Sequence, residues 1–336
     1  MQDFGIIITC SKHDFLFAKG CLMSVKYFMP DTPVCLLVDG DFDLQQMPDI
    51  SEVVVLDKST IKSQFLKENS FGYGITKMIA FWESPFSRFM LIDSDTCVWG
   101  DMKEYADFDN FDMIVDKRNF HHTKNNIDVG FFETGEFERY FQDFDYMAYS
   151  EKYFVTGIIF GTKGLFPIEE YADILAFHRD HPHIFKLGEM GFLNFMALRA
   201  NEQKRIRLGY DSFQMIMYEY PTNQLKDYAQ VRQLPSVKGK PQLLHYCGVA
   251  KATVGNVDYH VEPMTFFRTR YINDISNIRD TVSVMKILLH EDVEFKISEA
   301  MKRNKTYLNY WKQRLKYKNP VLFFRLKSMK TWFSSI

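Results

Sequence analysis

The chain has 336 residues, 46% of them hydrophobic and 25% charged, with a formal net charge of −2. That composition excludes disordered, collagen-like and disulfide-stapled proteins, and leaves ample surface for one large or two ordinary globular domains. The near balance of charge hides an asymmetry: residues 301–336 carry ten Lys/Arg and no acid, so the preceding residues net −12. A basic tail on an acidic body points to an anionic partner for the tail. Cys10, Cys21, Cys35, Cys97 and Cys247 are odd in number and form no CxxC, which suits packed, reduced thiols in a cytoplasmic protein. "MQDFGIIITC" lacks the basic start of a secretory leader, and no apolar run approaches the roughly 20 residues of a membrane span.

In chain order, "FGIIIT" (4–9) reads as a buried strand and "DFLFAKGCLMSVKYFM" (14–29) as a helix stopped by Pro30. "PVCLLVD" (33–39) and "EVVVLD" (52–57) are two more strands. "GITKMIAFWESP" (74–85) reads as a helix closed by Pro85, and "RFMLID" (88–93) as a fourth strand. Near-continuous Val/Ile/Leu runs separated by helices predict a parallel sheet covered on both faces. Later strands are expected at 112–116, 128–133, 156–161 and 242–248, with helices at 168–179, 189–200 and across 281–318.

Ligands of such sheets bind beyond the carboxyl ends of the strands. Thr9, Ser11 and Asp39 lie at two of those ends, and Asp93-Ser94-Asp95 at a third. In extended chain, residues i and i+2 point the same way, so Asp93 and Asp95 present two carboxylates to one side. Two such acids repel unless a cation sits between them, and oxygen ligands suit Mg²⁺ or Mn²⁺. "KHD" (12–14) offers Asp14 as a helix N-cap. "HRDHPH" (178–183) is read as a solvated helix end rather than a zinc site, and His121-His122 as a surface loop over the site.

The strand–DSD–apolar stretch, preceded by "TKMIAFWESPFSRF", resembles the core of GT-A glycosyltransferases. It is closest to the retaining group that includes glycogenin and the bacterial lipopolysaccharide galactosyltransferases. A second stretch, "HYCGVAK" (245–251), resembles that group's H-x-x-G-x-x-K and follows in the expected order. The resemblance, over about residues 4–255, implies an α/β GT-A fold: a Rossmann-like, mostly parallel central sheet with helices on both faces. A helical, basic C-terminal extension would follow. It implies Asp93, Asp95 and His245 as ligands of Mn²⁺ or Mg²⁺, with Ser94, Lys77, Gly248 and Lys251 near the diphosphate of a nucleotide sugar, UDP-linked. Thr9, Ser11 and Asp39 would meet the nucleoside, and Asp116 the sugar. "VTG" (155–157) stands where the group has Asn-(Ala/Ser)-Gly. "EMGFLN" (189–194) matches an acidic-Gln-x-x-x-x-Asn pattern except that Met190 replaces the Gln; Glu189 and Asn194 fit.

The expected domains are 1–265, with a nucleotide-binding half (1–115) and an acceptor half (116–265), and a helical extension, 266–336. The expected activity is transfer of a sugar to a saccharide or lipid-linked glycan. Retention is expected, while an inverting enzyme would need Glu189 or Asp128 as base. A sugar-nucleotide nucleotidyltransferase would carry a Gly-rich loop after strand one, which "TCSKHDF" lacks; a non-catalytic sugar-nucleotide or glycan-binding module is the other alternative. In the tail, Leu322, Leu326, Met329 and Phe333 recur at helical spacing among Arg325, Lys327 and Lys330. Each basic residue near an anionic bilayer contributes about 1 kcal/mol, so a peripheral place on the inner membrane face is expected. No nucleic-acid motif accompanies the charge.

Overall fold

The computed structural model describes residues 2–42, 53–72, 74–117, 121–220, 225, 228, 239–248, 251–256 and 260–318, with side chains up to 303. The tail stretch 320–336 therefore lies outside the described residues. Contacts divide the chain into two compact units, 1–284 and 285–336.

The first unit is built on a seven-stranded sheet. Its strands are β1 (Gln2–Ser11), β2 (Val34–Asp39), β3 (Val53–Leu56), β4 (Phe86–Asp93), β6 (Met113–Asp116), β7 (Ile158–Thr162) and β8 (Leu208–Asp211). Their order is β3-β2-β1-β4-β7-β6-β8. Only β7 runs against its neighbours; the other pairings are parallel. Ile6, Ile7 and Ile8 are fully buried, as the unbroken apolar run requires of a strand covered on both faces. Helix α1 (Phe15–Phe28) packs on α8 (Glu262–Asp274), with Phe28 and Tyr27 against Phe267.

A small second sheet positions the site. β5 (Thr96–Trp99) begins one residue after Asp95 and pairs antiparallel with β10 (Gln242–His245), which lies parallel to β9 (Gln214–Ile216). His245 lies opposite Thr96 in register. Most of the phenylalanines sit in the core: Phe131, Phe132, Phe137, Phe144, Phe185 and Phe195 form one buried cluster, each contributing about 1.5–3 kcal/mol of burial.

Two expected elements differ. Residues 128–133 are not a strand. Thr123 and Asn126 form a reciprocal capping box that starts α4 (Lys124–Gly130), and only Phe132 bridges to Phe185. The burial explains why: Val129 is exposed while Phe131 and Phe132 are consecutive and buried, so alternation is absent. Residues 74–85 form a 3₁₀ turn (Ile75–Ile79) and then a single turn, α3 (Ala80–Glu83). Other elements are α2 (Gln64–Asn69), α5 (Thr134–Tyr140), α6 (Ile168–Asp180) and α7 (Glu189–Glu202). α9 (Thr281–Lys318) is one continuous helix. No helix among the described residues is long and apolar enough to cross a membrane. All five cysteines are free, and burial pushes the Cys21 and Cys35 thiols up to about 12.

Candidate active site

β4 ends at Asp93, and the Asp93-Ser94-Asp95 turn reverses the chain into β5. The β5–β10 pairing then brings His245 to the same turn; the Tyr246 amide donates to Asp95 O at 2.9 Å, extending the ladder. One donor atom from each of Asp93, Asp95 and His245 lies within 4.8 Å of the others. His245 Nε2 is 3.4 Å from Asp95 Oδ1 and 3.9 Å from Asp93 Oδ2. Among the described residues this is the one cluster with metal-ligand geometry.

Gln214, at the start of β9, holds the imidazole. Its Oε1 is 3.0 Å from His245 Nδ1, buried. With Nδ1–H donated to that oxygen, the Nε2 lone pair faces two carboxylates. Lone pair and anions repel unless a cation lies between them, so the donor set fits a divalent metal. Gln214 is itself fixed by Asp116, whose Oδ1 accepts the amides of Phe213 (3.1 Å) and Gln214 (2.9 Å). Gly157 completes the cradle: a Cβ there would run into the His245 ring and come within 2.5 Å of Gln214 Oε1.

Lys77 is buried beneath Asp93. Its Nζ is 2.6 Å from Asp93 Oδ1 and 3.0 Å from Glu189 Oε1, and donates to Thr156 O at 3.1 Å. Three acceptors thus match the three donors of the ammonium. Burial alone favours losing the proton, yet Asp93 and Glu189 hold the Lys77 pKa well above its ordinary value. Lys251 Nζ contacts Asp95 Oδ2. Burial works to raise the Asp95 carboxyl, but the Lys251 ammonium keeps it well below the usual carboxylate range.

Glu189, at the first position of α7, also accepts the Thr156 hydroxyl at 2.6 Å. Asn194 braces the segment before it: Oδ1 accepts Phe154 N–H at 3.0 Å, and Nδ2 donates to Phe154 O and Met190 O, both at 2.9 Å. Ser94 Oγ donates to Asp14 Oδ2 at 2.9 Å.

Lys77, Asp93, Asp95, Glu189, His245 and Lys251 therefore converge, as their chemistry demands. Thr9 and Asp93 are register partners, as are Ser11 and Asp39. Thr9 Oγ1 is shielded from solvent and meets no hydrogen-bond partner among the described residues. Gly248 adopts φ +61° beside Tyr218, turning the chain between His245 and Lys251. Asp116 lies beneath the site, 3% exposed, with Oδ1 bonded to the loop that carries Gln214.

Two expectations need correction, the cap by Asp14 and the surface place of His122. Asp14 sits at the N-cap of α1, but its side chain does not cap. Oδ1 accepts from Ser11 N–H (2.6 Å) and Ser11 Oγ–H (2.9 Å) instead, and Oδ2 from Ser94. Burial raises the Asp14 carboxyl despite these donors. Asp128 is tied to the Thr134 amide and hydroxyl (2.9 and 3.1 Å) at the start of α5. His122 is no surface residue: it packs among Phe131 and Tyr153. Gln214, Asp14 and the Thr156 hydroxyl were not anticipated, and for Gln214 no spacing rule marks a lone amide on a short strand.

No protein-family model matches the chain, and no curated protein does. Solved structures do match. The galactosyltransferase LgtC in complex with donor and acceptor sugar analogues aligns at TM-score 0.52 and 13% identity, over 82% of this chain and 98% of that one. An active-site mutant of LgtC, a glutamine replaced by glutamate, aligns at 0.52 and 11% identity over the same shares. The fold is GT-A. At this identity the likeness speaks for architecture alone: the central sheet and its flanking helices.

Proposed function

We propose that the chain is a metal-dependent glycosyltransferase that moves a sugar from a UDP-linked donor to a saccharide or glycolipid acceptor with retention. The observation that carries this reading is the convergence of Asp93, Asp95 and His245 within 4.8 Å. Asp93, Asp95, Glu189, Lys77 and Lys251 together carry a formal charge of −1. A divalent cation, Mn²⁺ or Mg²⁺, held by Asp93, Asp95 and His245 would turn that to +1 and supply the charge that stabilises a departing diphosphate.

The chain's own groups divide the remaining work. Lys77 holds Asp93 in place, and Lys251 holds Asp95. Gln214 orients His245 so that Nε2 faces the carboxylates. Thr9, Ser11 and Asp39 line the strand ends where the nucleoside would lie.

Glu189 Oε1 is held by both Lys77 and Thr156, which leaves that carboxylate poorly placed as a base and favours retention over inversion. Met190, where the resembled family has a glutamine, offers no side-chain hydrogen bond; its backbone oxygen accepts from Asn194. The peripheral membrane place rests on the tail's composition.

The test is a screen of UDP-, GDP- and CDP-sugars with Mn²⁺, reading slow donor hydrolysis. Turnover with a UDP-sugar, abolished by chelator and by Asp95→Asn in a folded protein, supports the reading. Undiminished turnover in Asp95→Asn removes it.

A further inference from the structure

A cavity of about 790 Å³ is lined by Ile75, close in sequence to Lys77, and by Gly188, which precedes Glu189; its volume is within the range of small-molecule sites. Its walls are 68–72 with Ile75, the stretch 182–188, and the end of α6 that carries Leu175, His178 and Arg179; Ile75 leads on to Lys77 and Gly188 to Glu189. The segments touch, since the Glu189 carboxylate lies against the Cα of Gly74.

The second wall is strained. Leu187 has φ +52° and Gly188 φ +66°, and a leucine in the left-handed region costs about 1–2 kcal/mol. The reversal turns Leu187 outward, 55% exposed, at the cavity rim while Glu189 turns in and is buried. With Phe71 and Ile75 it gives the cavity an apolar face of the kind that lies flat against a sugar ring.

The charge of the wall opposes that of the body. Arg179 and Lys186 line the cavity, with His178 beside them. The acid on the wall, Glu68, accepts from Gln64 Nε2 at 2.5 Å. Asp128, which feels the charge of Lys186, is committed to Thr134.

We propose that this cavity is the acceptor subsite and that its acceptor is an anionic saccharide, carrying a carboxylate or phosphate that Arg179 and Lys186 recognise. The inference rests on the glycosyltransferase reading and adds the acceptor's class. Charge-assisted bonds from two cations supply selectivity, and the apolar face supplies contact.

The experiment uses the full chain with Mn²⁺ and UDP and reads binding by saturation-transfer NMR. The probes are lactose (neutral), 3′-sialyllactose (carboxylate) and galactose 6-phosphate (phosphate). At least one charged probe should bind more tightly than lactose, and which one does separates carboxylate from phosphate. Arg179→Gln and Lys186→Gln should each weaken that binding roughly tenfold, leaving lactose and Mn²⁺-dependent donor hydrolysis unchanged. Lactose binding as well as both charged probes, none of the three binding, or charged-probe binding unmoved in both variants overturns the proposal. Absence of Mn²⁺-dependent donor hydrolysis in the unaltered chain overturns the glycosyltransferase reading instead, so the two failures are distinct.

Discussion

Gln214 Oε1 lies 3.0 Å from His245 Nδ1, in a buried pocket floored by Gly157. That bond selects the tautomer whose Nε2 is free to ligate. Outer partners of metal-bound histidines are typically worth about 10–100-fold in metal affinity. Gln214→Leu should therefore weaken Mn²⁺ binding by about that factor, measured by isothermal titration or by the loss of the free-Mn²⁺ electron-spin signal. Gln214→Glu, which keeps an acceptor at Nδ1, should retain most of the affinity. Equal affinity in wild type and Gln214→Leu would show that the imidazole needs no such partner.

Lys77→Met leaves Glu189 buried and Asp93 half-buried around a missing charge. Removing one partner of a buried ion pair costs roughly 3–5 kcal/mol. Urea unfolding of the metal-free protein should show a loss of that size. Adding Glu189→Gln to Lys77→Met should recover part of it, because one stranded carboxylate is then neutral; strictly additive losses would count against the coupling.

Gly157→Ala places a methyl group against His245 and Gln214. The imidazole must move, so metal affinity should fall at least tenfold with little change in secondary structure by circular dichroism, taking about 1 Å of displaced ligand as enough to spoil the geometry. Gly130→Ala, whose Cβ meets open space, is the control and should bind metal as wild type does.

Asp112 and Arg207 clamp the starts of β6 and β8. Arg207 donates to Asp112 Oδ1 at 2.7 Å, and its amide to Oδ2 at 2.8 Å. Arg207 holds the Asp112 carboxyl below its ordinary value. A depressed acid stabilises the fold above its unfolded pKa, about 3.9, and that contribution fades as pH falls through the lower folded value. Because the pair is partly exposed, screening limits it to about 1 kcal/mol or less. Asp112→Asn should melt earlier than wild type at pH 7, and the gap should close below about pH 4. A gap unchanged at pH 3 would refute the ionic origin.

Much of this was legible in the sequence because it rests on periodicity and order. The apolar runs at 4–9, 33–39 and 88–93 can only be two-faced strands, and the acid pair at a strand end can be read without coordinates. His245 was legible through the resemblance of His245, Gly248 and Lys251 to the H-x-x-G-x-x-K stretch of the resembled glycosyltransferases. Gln214 was not, because its role comes from a three-residue strand lying alongside β10, a tertiary pairing that no local pattern encodes. The segment 128–133 misled because Phe131 and Phe132 are adjacent apolar residues, and the reciprocal Thr123–Asn126 cap outweighs β-propensity there. Asp14 misled for the opposite reason: a residue type that caps helices was recruited to Ser11 and Ser94 across the sheet edge.

The antiparallel pairing of Thr96 with His245 has a consequence for biogenesis. A nascent chain holding only its first two hundred residues owns the acid pair but not the imidazole, and can clasp an ion no better than any exposed aspartate turn. On the proposed reading, cation capture would become competent only once His245 has been made and β10 has paired beside β5. Uptake of Mn²⁺ at the proposed site would then report that β10 has paired with β5.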